Sequence, residues 1–448
     1  MKLRQAFNVA RGEVVAFVGA GGKTSALLGL GHELVDAGWR VMATTTAHIA
    51  ADQLDLVPQV IRAGMGTGAL SDALNDSRFV FLYDSVRAGQ VYGPSMAYIT
   101  YLLDAVDSDV LLVEADTAAG LPLKAPAADE PYIPPETSLV VPVASLSVLG
   151  QDLDDAHVYN ARAIVERYGF AEGTRVKSPW VAQVLRDETL GLRGVPERAR
   201  VVALLNQVPA QGYLRGRARL IAQLILRSPR VHGVAIGAVR GADPIHEVQR
   251  PVGAVVLAAG MSRRMGQPKV LLPWAGQRAI IDHILEQLML ARVDPIVVVT
   301  GHRHTEVAAR AAALGVPAVF NPHYAEGEML SSLKAGLAAL PPHAAAALVV
   351  LGDQPRIQPR VIGQVLMAYA ERQGAIVAPS YQMRRGHPLL IDRRFWPEIL
   401  ALPPDGSLRA LLAAYADEIG YVTVDTDSVL HDVDTPDDYA EERRRAGL

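Results

Sequence analysis

The sequence predicts an α/β protein of two tandem domains with mainly parallel sheets flanked by helices, and three observations predict it. Short apolar runs alternate with segments of helical spacing along almost the whole chain. In each half, a glycine-rich turn directly follows the first apolar run. Between the halves, residues 241–251 are polar, contain two prolines and separate a finished strand from a new one. Continuous apolar strands joined by crossover helices require a sheet covered on both faces. The 448 residues suit two large domains as well as three of about 150. The expected division is 1–240, a linker at 241–251, and 252–448.

In order, residues 14–19 read as a buried strand, 24–37 as a helix ending at Gly38, and 40–44 as the next strand. Further strands are expected at 110–115, 139–143, 201–205 and 231–236. The second half restarts with strands at 253–258, 295–299, 347–351, 376–379 and 421–424. Helical patterns separate them at 280–290, 306–314, 329–340 and 361–372.

Composition narrows the function. Cysteine is absent, which excludes disulfides, thiolate metal sites and a cysteine nucleophile. The net charge of −4 provides no cationic field, so a nucleic-acid partner is not expected. Every apolar run is far shorter than the ~20 residues needed to span a bilayer. Arg11 and Glu13 interrupt the N-terminus before a signal-peptide core can form. The expectation is a soluble, cytoplasmic protein with no membrane partner.

The segment Leu257-Ala-Ala-Gly-Met-Ser-Arg-Arg-Met-Gly-Gln-Pro-Lys269 follows a strand directly. Small residues at Ala258, Ala259 and Gly260 let the backbone approach a ligand, and exposed amides in such a turn form an anion nest. Ser262 adds a hydroxyl, while Arg264 and Lys269 add two positive charges. That combination suits a nucleoside triphosphate, whose charge shifts onto the leaving pyrophosphate. Asp353 ends an apolar strand, where open α/β sheets bind ligands. Asp434 precedes Thr435-Pro436, a strong helix start. Two loop carboxylates can hold one Mg²⁺, which takes oxygen ligands and bridges to phosphates. Asp432 competes with Asp434, because strand alternation would put both on one face.

These residues resemble the MobA-like nucleotidyltransferases, and within them the molybdenum cofactor cytidylyltransferases. Asn321-Pro-x-Tyr-x-x-Gly-x-Met-x-Ser-Ser-Leu333, Gly352-Asp-Gln-Pro355, Arg385-Gly-His-Pro388, Asp405-Gly-Ser-Leu-Arg409 and His431-Asp-Val-Asp-Thr-Pro-Asp-Asp-Tyr439 complete the pattern over about 253–445. The resemblance implies a Rossmann-like nucleotidyltransferase domain and favours Asp434 over Asp432. Arg264, Lys269 and Asp353 would be catalytic, with Asp353 and Asp434 holding the metal. Leu257, Ala258, Ala259, Gly260 and Ser262 would bind the nucleotide. Asn321, Ser331, Arg385, Gly386 and His387 would face substrate, the last three on the pterin side. Guanylyl members typically carry Gly in place of Ala259, so this chain's methyl agrees with cytosine. One methyl discriminates by only about 1–3 kcal/mol.

In the first half, Gly19-Ala-Gly-Gly-Lys-Thr24 follows a strand and opens a helix. It resembles a P-loop shortened at its front, with Phe17 where the full spacing wants Gly. Gly19, Gly21 and Gly22 would supply amides, Lys23 would reach the β- and γ-phosphates, and Thr24 would ligate Mg²⁺. Thr44-Thr-Thr46 would offer hydroxyls at the same sheet edge, and Glu114-Ala-Asp116 a second metal-facing carboxylate. For Lys124, contact with an anionic ligand and a solvated loop position stand level. With Thr44–His48 and the run from Val113 to Pro126, this half resembles the YqeC family, described as accessory to selenium-dependent molybdenum hydroxylases. Thr117 departs from the family's usual Gly. Asn206-Gln-Val-Pro209 lacks the Lys and Asp of a guanine-reading motif.

The expected activity is transfer of CMP from CTP to the terminal phosphate of molybdenum cofactor (molybdopterin), with Mg²⁺ and release of pyrophosphate, for a molybdenum hydroxylase client. A second nucleotide is expected at the N-terminal domain. The competing readings are a nucleotidyltransferase for another phosphorylated acceptor, and a nucleotide-switched chaperone that delivers finished cofactor.

Overall fold

A computed structural model describes residues 1–325, 329–404 and 406–448. The chain divides into two compact units, Met1–Gln249 and Arg250–Leu448. In the first, nine strands form one sheet: β1 (Glu13–Gly19), β2 (Val41–Thr45), β3 (Gln59–Arg62), β4 (Phe79–Tyr83), β5 (Val110–Glu114), β6 (Leu139–Ser145), β7 (Arg200–Asn206), β8 (Gly233–Gly237) and β9 (Ile245–Gln249). Their order is β9-β8-β7-β6-β1-β5-β2-β4-β3. All neighbours are parallel except the β8–β9 pair. Val15, Phe17 and Val141 bury on one face, while Val14, Ala16 and Val140 bury on the other. Burial on both faces explains the unbroken apolar runs.

The chain order reverses at β1, which lies between β5 and β6. A crevice opens at the carboxyl ends of strands at such a switch point. Helix α1 (Lys23–Asp36) starts there, directly after the glycine turn. The stretch expected as a linker contains β9, an edge strand of this sheet. Glu247 disguises it: this carboxylate is fully buried, because Arg215 and Arg219 reach it at 2.9 and 2.7 Å.

The second unit has an eight-stranded sheet from β10 (Val252–Ala258), β11 (Ile296–Thr300), β12 (Ala318–Phe320), β13 (Ala346–Leu351), β14 (Ile376–Tyr381), β15 (Arg384–Arg385), β16 (Leu389–Asp392) and β17 (Ile419–Thr423). The order is β12-β11-β10-β13-β16-β14-β15, with β17 against β14. Strand β16 is antiparallel to both neighbours, and β15 is antiparallel to β14; the other pairs are parallel. Alternate residues again feed two cores, Val256 and Val298 on one face and Val255 and Val297 on the other. The helices that matter for the site are α2 (Met329–Ala339) and α3 (Pro436–Arg445). Among the described residues no helix is long and apolar enough to cross a membrane.

Candidate functional site

In the second unit the site grows from the end of β10. Ala258 and Ala259 are buried and Gly260 is exposed, so the chain emerges here. The Gly352 amide donates to the Leu257 carbonyl at 2.9 Å. A Cβ on Gly352 would lie 2.6 Å from that same oxygen, so glycine is what lets the end of β13 approach the turn. Ser262 adopts φ +52° and its Oγ accepts the Lys269 backbone N–H at 3.0 Å. The hydroxyl thus closes the loop and aims Lys269 inward.

The Lys269 ammonium sits 3.2 Å from Asp353 Oδ2 and 2.5 Å from Asp434 Oδ1. The Arg264 guanidinium meets Asp434 Oδ2 at 2.7 Å. Two carboxylates from distant segments therefore converge on one positive charge. Asp434 is set by the Val433 N–H, which donates to the Asp353 carbonyl at 2.9 Å, and by α3, capped by Thr435 with Pro436 in its first turn. Residues 431–434 form a loop rather than a strand, so the alternation argument for Asp432 does not apply. Asp432 instead accepts from Gln354 Nε2 at 2.6 Å.

Burial pushes the Asp353 carboxyl above the usual carboxylate range, against the pull of Lys269. The hydrogen bond from Lys269, helped by Arg264, holds Asp434 below that range. Burial works against the Lys269 charge, but Asp434 and Asp353 outweigh it and raise its pKa. Among the described residues no group of three or more His, Asp or Glu side chains is arranged around a metal position.

Asn321 is buried and its Nδ2 donates to Ser331 Oγ at 2.9 Å and Ser332 Oγ at 3.0 Å, fastening the start of α2. Gly386 is packed so closely that a Cβ would lie 2.4 Å from the Val429 carbonyl oxygen. His387 is half-buried, and burial lowers its pKa against the attraction of Asp432, with Arg385 adding to the fall. Arg385 itself is exposed on a hairpin. Gly327 and Asp405 lie outside the described residues.

In the first unit, Gly19, Gly21 and Gly22 have φ of +90°, +78° and +126°. Lys23 is buried; its Nζ donates to the Gly19 carbonyl at 2.8 Å and lies 3.2 Å from Asp116 and 3.6 Å from Glu114. Thr24 Oγ1 donates to Glu114 Oε2 at 2.7 Å. Burial opposes the Lys23 charge, yet Asp116 and Glu114 overcome it and raise its pKa. Burial raises Glu114 despite Lys23 and Thr24.

A cavity of about 530 Å³ opens over this turn, lined by residues 21–25 and by Glu114, Asn206 and Arg240 among others. The expected hydroxyls of Thr44, Thr45 and Thr46 do not line it. They donate to the Leu82, Glu114 and Tyr132 carbonyls, satisfying backbone acceptors instead. Lys124 is not a solvated loop residue: it is buried between Asp116 at 3.1 Å and Glu130 at 2.7 Å. Sequence reasoning misses Glu130, Arg240 and the structural use of Asn206, whose Nδ2 donates to the Gly21 carbonyl at 2.8 Å. The hint it offers is that Asn206 and Arg240 stand at or just beyond the ends of apolar strands.

Comparison with known proteins follows the same division. Residues 15–162 match the model of the YqeC protein family, and residues 254–419 that of the MobA-like NTP transferase domain. An uncharacterized YqeC protein of Escherichia coli (strain K12) is 30% identical over 199 residues, covering 44% of this chain and 77% of the relative. The molybdenum cofactor cytidylyltransferase of the same organism is 28% identical over 195 residues, 43% of this chain and 96% of the relative. A nicotine blue oxidoreductase of Paenarthrobacter nicotinovorans is 32% identical over 194 residues, 41% of this chain and 92% of the relative. The chain belongs to the YqeC family through its N-terminal half and to the MobA-like nucleotidyltransferase family through its C-terminal half.

Proposed function

We propose that the C-terminal unit transfers CMP from CTP to the terminal phosphate of molybdenum cofactor and releases pyrophosphate, serving the maturation of molybdenum hydroxylases. The observation that carries this reading is the Lys269 ammonium held by both Asp353 and Asp434 beneath the turn that begins at Ala258. Amides of residues 259–262 bind the triphosphate, and Lys269 and Arg264 turn from the carboxylates to the phosphates. The donor set fits a magnesium ion: two carboxylates are what this hard cation takes from protein when phosphate oxygens complete its shell. Held by Asp353 and Asp434, such an ion would supply charge neutralisation to the triphosphate.

An oxygen of the cofactor's phosphate attacks the α-phosphorus, forming one P–O bond as the bond to pyrophosphate breaks. No general base is required, because that phosphate is already ionised near neutral pH. Lys269 and Arg264 stabilise the charge gathering on pyrophosphate. The Ala259 methyl supports cytosine over guanine, and His387 with Gly386 and Arg385 is assigned to the pterin side. Pyrophosphate release is measured with CTP, GTP or ATP against molybdenum cofactor, sugar phosphates and alcohol phosphates. The proposal expects turnover with CTP and molybdenum cofactor. Turnover with a different acceptor, or stoichiometric binding without turnover, contradicts it.

A further inference from the structure

We propose that the N-terminal cavity binds a magnesium nucleoside triphosphate, and that Lys124 is the buried counter-charge that lets Lys23 leave Asp116 for phosphate. The cavity, about 530 Å³, is within the range of small-molecule sites and lies at the sheet's switch point. Gly21 and Gly22, both at positive φ, curve the backbone into the start of α1, so that residues 21–25 line one concavity. The curve cannot be filled by side chains. A Cβ on Gly21 would lie 2.5 Å from Ser145 Cβ, and one on Gly22 would lie 2.2 Å from Asn206 Nδ2. Arg240, held by Ser25 Oγ at 3.2 Å, adds a second cation at the rim.

Sheet order fixes the orientation. Thr24 and Glu114, 2.7 Å apart, are the oxygen pair for a hard cation, and Glu114 ends β5 on one side of β1. The β- and γ-phosphates therefore lie toward β5. Asn206 ends β7, and Gln207, Val239 and Arg240 follow β7 and β8 on the other side, where the nucleoside fits. The γ-phosphate end opens toward His48, Gln53 and Gln90.

At rest, Lys23 is spent on Glu114 and Asp116. Turning it onto phosphate would strand Asp116, which is 2% exposed, as an uncompensated buried charge. Its Oδ1 already accepts no hydrogen bond and has the Lys23 ammonium at 3.2 Å. Lys124 resolves this. It stays 3.1 Å from Asp116 Oδ2, which also accepts the Gly19 N–H at 2.9 Å. Glu130 balances Lys124 at 2.7 Å and is itself anchored by the Thr117 N–H at 3.1 Å. Glu114, for its part, passes from Lys23 to the incoming cation.

The test is equilibrium binding of ATP, GTP and CTP, each with Mg²⁺, to the full chain. Lys23→Met is expected to lose one equivalent of bound triphosphate per chain for at least one of the three. Arg240→Ala, a surface change that leaves the core intact, is expected to weaken the same site by about fivefold. Lys124→Met is expected to weaken it by about tenfold or more. Adding Asp116→Asn is expected to restore binding, because turning Lys23 onto phosphate then strands no buried charge at position 116; loss of the Lys124 ammonium's contact with the Tyr159 ring, 4.7 Å from its centroid, would not be rescued that way. Unchanged binding of all three nucleotides in Lys23→Met and Arg240→Ala overturns the site. Wild-type binding by Lys124→Met, or a loss that Asp116→Asn leaves in place, overturns the counter-charge.

Discussion

Asp353 and Asp434 share the Lys269 ammonium, so each substitution among them removes a different part of the C-terminal chemistry. Asp353→Ala deletes one of two carboxylates assigned to the metal. Steady-state pyrophosphate release should fall on the order of 10²-fold or more, since even groups one step removed from a metal cost 10–100-fold. Lys269→Met should cost about 10²–10³-fold by removing charge stabilisation of the leaving group. A normal rate in either variant would strip that residue of its assigned role. In the first unit, Gly21→Ala forces a methyl to 2.5 Å from Ser145 Cβ at φ +78°. Strain plus overpacking should destabilise this unit by about 2–4 kcal/mol, read as a lowered urea midpoint. Residues with chemical signatures, such as Lys23, Lys269 and Asp353, are legible in the sequence. The Lys124–Glu130 pair is not, because the chain from 125 to 130 is loop, where no helix or strand repeat marks which side chains meet.

Among the elements, helix Ser178–Arg186 ends at Asp187, whose carboxylate ties three groups together. Burial alone would raise it, but hydrogen bonds from Thr189, Tyr168 and Arg167 outweigh that and hold its pKa at about 2. The unfolded value is about 3.9. The folded pKa is depressed, so its stabilisation is present above pH ~4 and lost as pH falls toward 2. Asp187→Asn should therefore cost roughly 2 kcal/mol at neutral pH and flatten the acid limb between pH 4 and 2. An acid limb identical to wild type would refute the assignment. Strands with unbroken apolar runs, such as β1 and β10, are legible to within a residue or two. Strand β4 carries as plain a signal, Phe79-Val-Phe-Leu-Tyr83, yet is missing from the strands expected. Strand β3 has little signal, as Gln59 and Arg62 bracket two apolar residues. Strand β9 is hidden by Glu247, whose partners come from a helix, Tyr213–Ile225, that is also missing from the expected elements.

For the whole molecule, each unit has its own sheet and its own apolar clusters. Two thermal transitions are expected, with CTP and Mg²⁺ raising the one that reports residues 250–448, because a ligand stabilises only the fold that binds it. A single transition shifted as a whole would contradict independent cores. The two-domain α/β plan is legible because glycine turns follow strands in both halves. The convergence of Asp353, Asp434 and Lys269 is a product of topology, with strand β13 beside β10 and the cap of α3 beneath the same turn. The most direct measurement supplies CTP labelled at the α-phosphorus, Mg²⁺ and molybdenum cofactor to the full chain and follows where the label goes. The account predicts label joined to the pterin in step with pyrophosphate, at a rate lower by on the order of 10²-fold or more in Asp353→Ala. Label that remains in CTP, or equal transfer by Asp353→Ala, would contradict it.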